Sequence, residues 1–115
     1  MDIKRLGVNK RWSNIVIHNG VAYFCGQVAE KLVPDVTEQT KSTLKKIDDL
    51  LASIGSDRTK ILSATIYIKE SSMLKEMNEV WDNWVPEGCA PARACIIADT
   101  TDPMQWVEIV IVAAV

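Results

Sequence analysis

"CAPARACIIADTTDPMQWVEIVIVAAV", residues 89–115, holds two strand-like runs on either side of a polar turn. The second run, Gln105 to Val115, contains VEIVIVAAV, apolar at nearly every position as a buried strand is. The first, Ala90 to Ala98, reads the same way except that Arg93 interrupts it. With Asp99-Thr100-Thr101-Asp102 as the turn, the two runs predict a β-hairpin. Strand alternation places Arg93, Cys95 and Ile97 on one face of the first arm, and separates Glu108, Val110 and Val112 from Val107, Ile109 and Ile111 on the second. Folding about the centre of DTTD sets Arg93 opposite Glu108, and a shift of register by two sets Cys95 there instead. Either way Arg93 and Glu108 share a face within cross-strand or diagonal reach. An arginine is charged at any physiological pH, and a buried one left without its anion costs about 3–5 kcal/mol. Two readings follow. The pair is an ion pair that holds the hairpin, or Arg93 offers its planar fork to a carboxylate ligand while Glu108 handles a proton or a water.

Working outward, Ser13 to Gly26 (SNIVIHNGVAYFCG) carries two β-rich runs around Asn19-Gly20, the dipeptide best suited to a two-residue type I′ turn, and predicts a second hairpin. From Val36 the apolar period changes: Leu44, Ile47, Leu51 and Ile54 form one stripe of an amphipathic helix, with Asp35 as its N-cap and Gly55 just past its end. Lys60 to Lys69 alternates, with Leu62, Ala64, Ile66 and Ile68 on one face and Ser63, Thr65 and Tyr67 on the other, as a half-buried strand does. Ser71 or Ser72 is placed to cap a second helix whose stripe is Leu74, Met77, Val80, Trp81 and Trp84, ending before Pro86.

The order is strand, strand, helix, strand, helix, strand, strand. It predicts an α+β domain with two helices on one face of a mostly antiparallel sheet. The other sheet face, with Val110 and Val112, is too apolar for water, so an oligomer that buries it is expected. At 115 residues and 48% hydrophobic content the chain fills one core, and residues 1–115 are expected to form a single domain. Its formal net charge of −2 gives no long-range positive field, which disfavours nucleic acid as a partner. No stretch approaches the roughly 20 apolar residues of a membrane span, so a cytoplasmic protein that does not engage membranes is expected.

Cys25, Cys89 and Cys95 are odd in number, form no CxxC pair and have no histidine nearby, which predicts neither a metal site nor a disulfide framework. His18 is the sole histidine and adjoins the Asn19-Gly20 turn, where a surface role is expected. Nucleotide-binding, zinc-protease and serine-hydrolase motifs are all missing.

The PARAC segment followed after a short turn by VEI resembles the signature of the RidA/YjgF family of reactive-intermediate deaminases, also called the endoribonuclease L-PSP family. Gly26-Gln27, EQTKSTLKKIDDLLASIGS, ATIYIK and MNEVWDNW extend the likeness along nearly the whole chain, and RWSNIVIHN with WDNWVPEG is most similar to the bacterial YoaB-like branch. The resemblance implies a chorismate-mutase-like α+β fold, a homotrimer with inward-packed sheets and three intersubunit clefts, and no metal or organic cofactor. It implies hydrolytic deamination of small 2-imino or enamino acids, such as 2-aminoacrylate derivatives, to 2-keto acids and ammonia. It assigns Arg93 to the substrate carboxylate, Glu108 to the attacking water, the Cys95 carbonyl to holding that water, and Asn78 and Gly26 to the cleft wall. Trp12 occupies the place where many family members carry a tyrosine. The competing functions are non-catalytic binding of small carboxylates or 2-keto acids by a regulatory module, and the ribonuclease or translation-inhibitor activity of the family's older name, which suits an acidic chain with one histidine poorly.

Overall fold

The computed structural model describes residues 1–115. The strands are β1 (Lys4–Leu6), β2 (Ile15–His18), β3 (Val21–Phe24), β4 (Gln27–Val28), β5 (Ile61–Ile68), β6 (Ala92–Ile97) and β7 (Val107–Ala114), and the helices are α1 (Val36–Ser53) and α2 (Leu74–Trp84). One sheet runs β1-β2-β3-β7-β5-β6, with β4 also paired to β7. The β2–β3 hairpin forms as predicted: His18 faces Val21 across Asn19 (φ 51°) and Gly20 (φ 75°), both in the left-handed region that a type I′ turn demands.

Helix α1 starts where Asp35 accepts the Glu38 amide in an N-cap, and the chain leaves it at Ile54 and Gly55. Its apolar stripe, with Met77, Trp81 and Trp84 of α2, packs on Ile66, Ile68, Val107, Ile109 and Ile111 of the sheet. Four smaller features differ from the sequence reading, the first being that Leu74, at the head of the α2 stripe, is exposed. Neither Ser71 nor Ser72 caps α2, because Ser71–Met73 form a short 3₁₀ turn that feeds directly into the helix. A bulge between Ile61 and Ser63 changes the phase at the start of β5, so Ile61 turns inward and Leu62 outward. The short strands β1 and β4 carry no alternation long enough to be read from sequence.

The largest correction concerns the last two strands, which are not a hairpin. β6 pairs in parallel with β5, with Arg93 beside Ala64 and Cys95 beside Ile66, while β7 lies antiparallel between β3 and β5. The reason is the length of α2: β5, α2 and β6 make a crossover unit, which returns a strand parallel to its predecessor. The run of β7, apolar at every position but Glu108, takes the central position, and β6, exposed at every residue, takes the edge.

One polar cluster ties α1 to the end of α2. Arg58 grips Asp48 through Nε and Nη2, each at 2.8 Å, donates Nη1 to the Trp84 carbonyl at 3.1 Å and stacks on the Trp84 ring, whose indole N–H reaches Asp48 at 3.1 Å. The bond to Asp48 raises the Arg58 pKa further, so the guanidinium stays charged. Asp48→Ala leaves these donors without their acceptor and is expected to destabilise the fold by about 1–3 kcal/mol, read as a lower urea midpoint at constant m.

Candidate functional site

Cross-sheet rows fix which side chains share a face. Arg93, Ala64 and Ile111 form one row, and Cys95, Ile66 and Ile109 the next, both on the side covered by the helices. Ile96, Tyr67 and Glu108 form a row on the open side. Arg93 and Glu108 therefore lie on opposite faces of the sheet, two strands apart, and make no ion pair. Both salt bridges in the chain lie elsewhere, at Lys45–Asp49 and Arg58–Asp48. The shared face predicted for Arg93 and Glu108 depended on the hairpin, and it disappears with it.

Arg93 is instead held by α2. Its Nη1 donates to the Asn78 Oδ1 at 2.9 Å, and its guanidinium lies 5.5 Å from the centroid of the Trp81 ring. Nε and Nη2 have no partner within the chain, so a planar cation is oriented at the exposed edge with half of its donor fork free. Cys95 lies on the same face, where partial burial pushes its thiol pKa up against the opposing pull of the Arg93 charge.

Glu108 sits on the open side at the floor of a cleft of about 470 Å³ lined by Trp12, Cys25, Gly26, Val28, Thr101 and Gln105. A second groove of about 460 Å³, lined by Tyr67, Asp99 and Val110 among others, shares Glu108 and Thr101 with the first. Gly26 is glycine for want of space: a Cβ there would stand 2.5 Å from the Glu108 Oε2. Trp12, 53% exposed, is held at the rim by the Asn9 carboxamide, which accepts the Arg11 and Trp12 amides at 2.9 and 3.1 Å.

The six residues singled out from sequence thus fall into two sets: Arg93, Asn78 and Cys95 at one edge, and Glu108, Gly26 and Trp12 on the open face. One chain does not bring the sets together. Thr101, Gln105, Cys25 and Tyr67 were not singled out. The signal for Thr101 and Gln105 was the polar segment DTTDPMQ immediately before the strand that carries Glu108.

A family model described as Endoribonuclease L-PSP matches residues 2–115. The chain belongs to this family. The RutC family protein YoaB of Escherichia coli K12 is 44% identical over 115 residues, covering 100% of both chains, and a RutC family protein of Haemophilus ducreyi is 43% identical over 113 residues, 98% of this chain and 97% of that one. Among solved structures, a Pseudomonas aeruginosa protein superposes with a TM-score of 0.95 at 42% identity over 98% of both chains. A YjgF family member from Neisseria meningitidis does so with a TM-score of 0.95 at 42% identity, over 99% of this chain and 95% of that one. The fold is that of the YjgF structures, an α+β sheet with two helices on one face. No helix is long and apolar enough to cross a membrane. No three His, Cys, Asp or Glu side chains come together in a group that could hold a metal.

Two outcomes follow from this geometry. Gly26→Ala displaces only the flexible end of Glu108, so stability should change by no more than about 0.5 kcal/mol, while a crystal structure of the variant shows the carboxylate rotated out of the cleft. Arg93→Ala removes the charge that favours the Cys95 thiolate, so the pH of half-maximal Cys95 alkylation, followed by mass spectrometry, should move upward.

Proposed function

We propose that this protein hydrolyses small 2-imino and enamino acids to 2-keto acids and ammonia, in clefts where the Arg93 edge of one copy meets the Glu108 face of another in a homotrimer. The observation that carries this reading is the half-free Arg93 fork, a fixed cation with no carboxylate of its own chain to satisfy it. Such a fork matches a substrate carboxylate, which it binds through Nε and Nη2 while Asn78 and Trp81 hold the plane. Oligomer formation has support in the uncovered sheet face, where Tyr23 and Ile96 are exposed and Val110 and Val112 half-buried.

Imine hydrolysis asks little beyond placement, because the C=N carbon is already electrophilic. Glu108 accepts a proton from a water as its oxygen bonds to that carbon, and the imine nitrogen takes up a proton. The carbinolamine so formed re-forms C=O as its C–N bond breaks, the hydroxyl proton leaves through Glu108, and ammonia departs. The Cys95 carbonyl is assigned to holding the water, and Gly26 keeps space for the Glu108 carboxylate. Trp12 brings one indole donor and a broad apolar face to the rim.

A non-catalytic carboxylate sensor would use the same fork. It differs in binding 2-keto acids without accelerating imine loss. Ribonuclease activity, named in the family description, finds no positive field here to attract RNA.

The test uses imines generated in place by an amino-acid oxidase. Arg93→Lys keeps the charge but loses the planar fork and should lose most turnover, and near-normal activity would sink the proposal. Arg93→Ala and Glu108→Gln should each be inactive. Mixed in equal amounts and reassembled, they should regain about one quarter of wild-type activity, because each cleft draws its two chains independently. No recovery in such mixtures would place both groups in a cleft of one chain and overturn the shared site.

A further inference from the structure

Gln39 is a fully buried polar side chain on α1 that core filling does not explain. Its amide is spent on main-chain groups, one just before the helix and two far along the sequence. Nε2 donates to the carbonyls of Val33 at 2.8 Å and Met104 at 3.0 Å, and Oε1 accepts the Trp106 amide at 3.0 Å. Two of these partners bracket Gln105, in the segment 98–106 that joins β6 to β7. The same segment is held from the residue that follows β5, where the Lys69 ammonium donates to the Pro103 carbonyl at 2.9 Å and the Lys69 amide to the Trp106 carbonyl at 3.0 Å. Inside it, the Thr100 hydroxyl lies 3.0 Å from the carbonyls of Asp102 and Gln105, and Asp102 Oδ1 accepts the Met104 amide at 2.8 Å.

A loop tied this often has one main-chain path, and it turns two polar side chains toward Glu108. Thr101 and Gln105 both line the cleft, with the Thr101 hydroxyl 3.4 Å from Gln105 Oε1. Such a wall offers a donor and an acceptor to whatever the cleft holds, and its geometry is set from the far side by a residue that never reaches the cleft.

We propose that Thr101 and Gln105 contact the bound ligand and that Gln39 is the positioning residue which holds them in place. The inference rests on the proposed function only for the ligand class, a small 2-keto or 2-imino acid. The wild-type protein and three variants are titrated with 2-oxobutanoate, followed by amide chemical shifts, and assayed for imine hydrolysis. Gln39→Met keeps the length without the bonds, and with Gln105→Ala it should weaken 2-oxobutanoate about tenfold and raise KM at near-constant kcat. Their combination should fall less than threefold below Gln39→Met alone, since both act through one wall. A Gln39→Met variant with a lower Tm but wild-type Kd and KM would make the residue structural only and overturn the proposal, as would an unaltered Kd in Gln105→Ala.

Should Gln39→Met fail to fold, Gln39→Glu decides the matter. A carboxyl facing two carbonyls has its pKa raised, and only its protonated form can both accept from Trp106 and donate to a carbonyl. Its affinity should match wild type at low pH and fall as pH rises, and a profile parallel to wild type would overturn the assignment. Wild type that binds 2-oxobutanoate without accelerating imine loss would refute the enzymatic reading and leave this inference standing. Wild type that binds nothing would refute both.

Discussion

Strand β7 is hydrogen-bonded on both sides, to β3 and β4 along one edge and to β5 along the other, and every other part of the molecule is placed by that pairing. Val107, Ile109, Ile111 and Ala113 are at most 1% exposed, and Glu108, Val110 and Val112 alternate with them. With a side-chain period of two, a slip of one residue would drive Glu108 into the apolar core and bring the isoleucines out. The register is pinned at both ends by buried polar side chains: Gln39 holds the Trp106 amide before the strand, and the Ser56 hydroxyl donates to the Ala114 carbonyl at 2.7 Å at its end. These two bonds link α1 and the turn after it to the strand that carries the candidate carboxylate.

The same pairing explains why Arg93 and Glu108 stand apart. Because β5 intervenes and β6 runs parallel to it, Arg93 points to the helix side and Glu108 to the open side. Each half is well built by itself. Asn78 and Trp81 hold the cation, and Gly26 leaves room for the anion. A monomer in this conformation cannot offer both groups to one small molecule, so any site that used both would have to be shared between copies.

Much of this was legible from residue patterns. Asn19-Gly20 specified its turn, Asp35 and Gly55 bounded α1, and the three- and four-residue spacings marked the buried faces of both helices except at Leu74, which is exposed. The C-terminal strands were misread because a polar turn between two apolar runs is the local signature of a hairpin, whereas partner choice is set by elements far away in sequence. The sequence did contain the opposing signal: a strand, an eleven-residue helix and another strand at 61–97 is the pattern of a parallel crossover. Pro91, two residues before Arg93, also fitted an edge strand better than an interior one. Arg93 and Glu108 could be found by chemistry alone, but not the face each occupies. Gln39 was invisible because its partners at 104 and 106 become neighbours only once β7 is in place.

The sheet has two free edges, and both carry basic side chains: Lys4 and Arg5 on β1, and Arg93 on β6. An edge strand with exposed isoleucines at 96 and 97 is a template onto which another strand can add without limit. Like charges on the two edges oppose that end-to-end growth, since joining the β6 edge of one molecule to the β1 edge of the next would set Arg93 against a basic strand. The charge of Arg93 thereby disfavours edge-to-edge polymerisation, an effect of its position on the strand that needs no ligand.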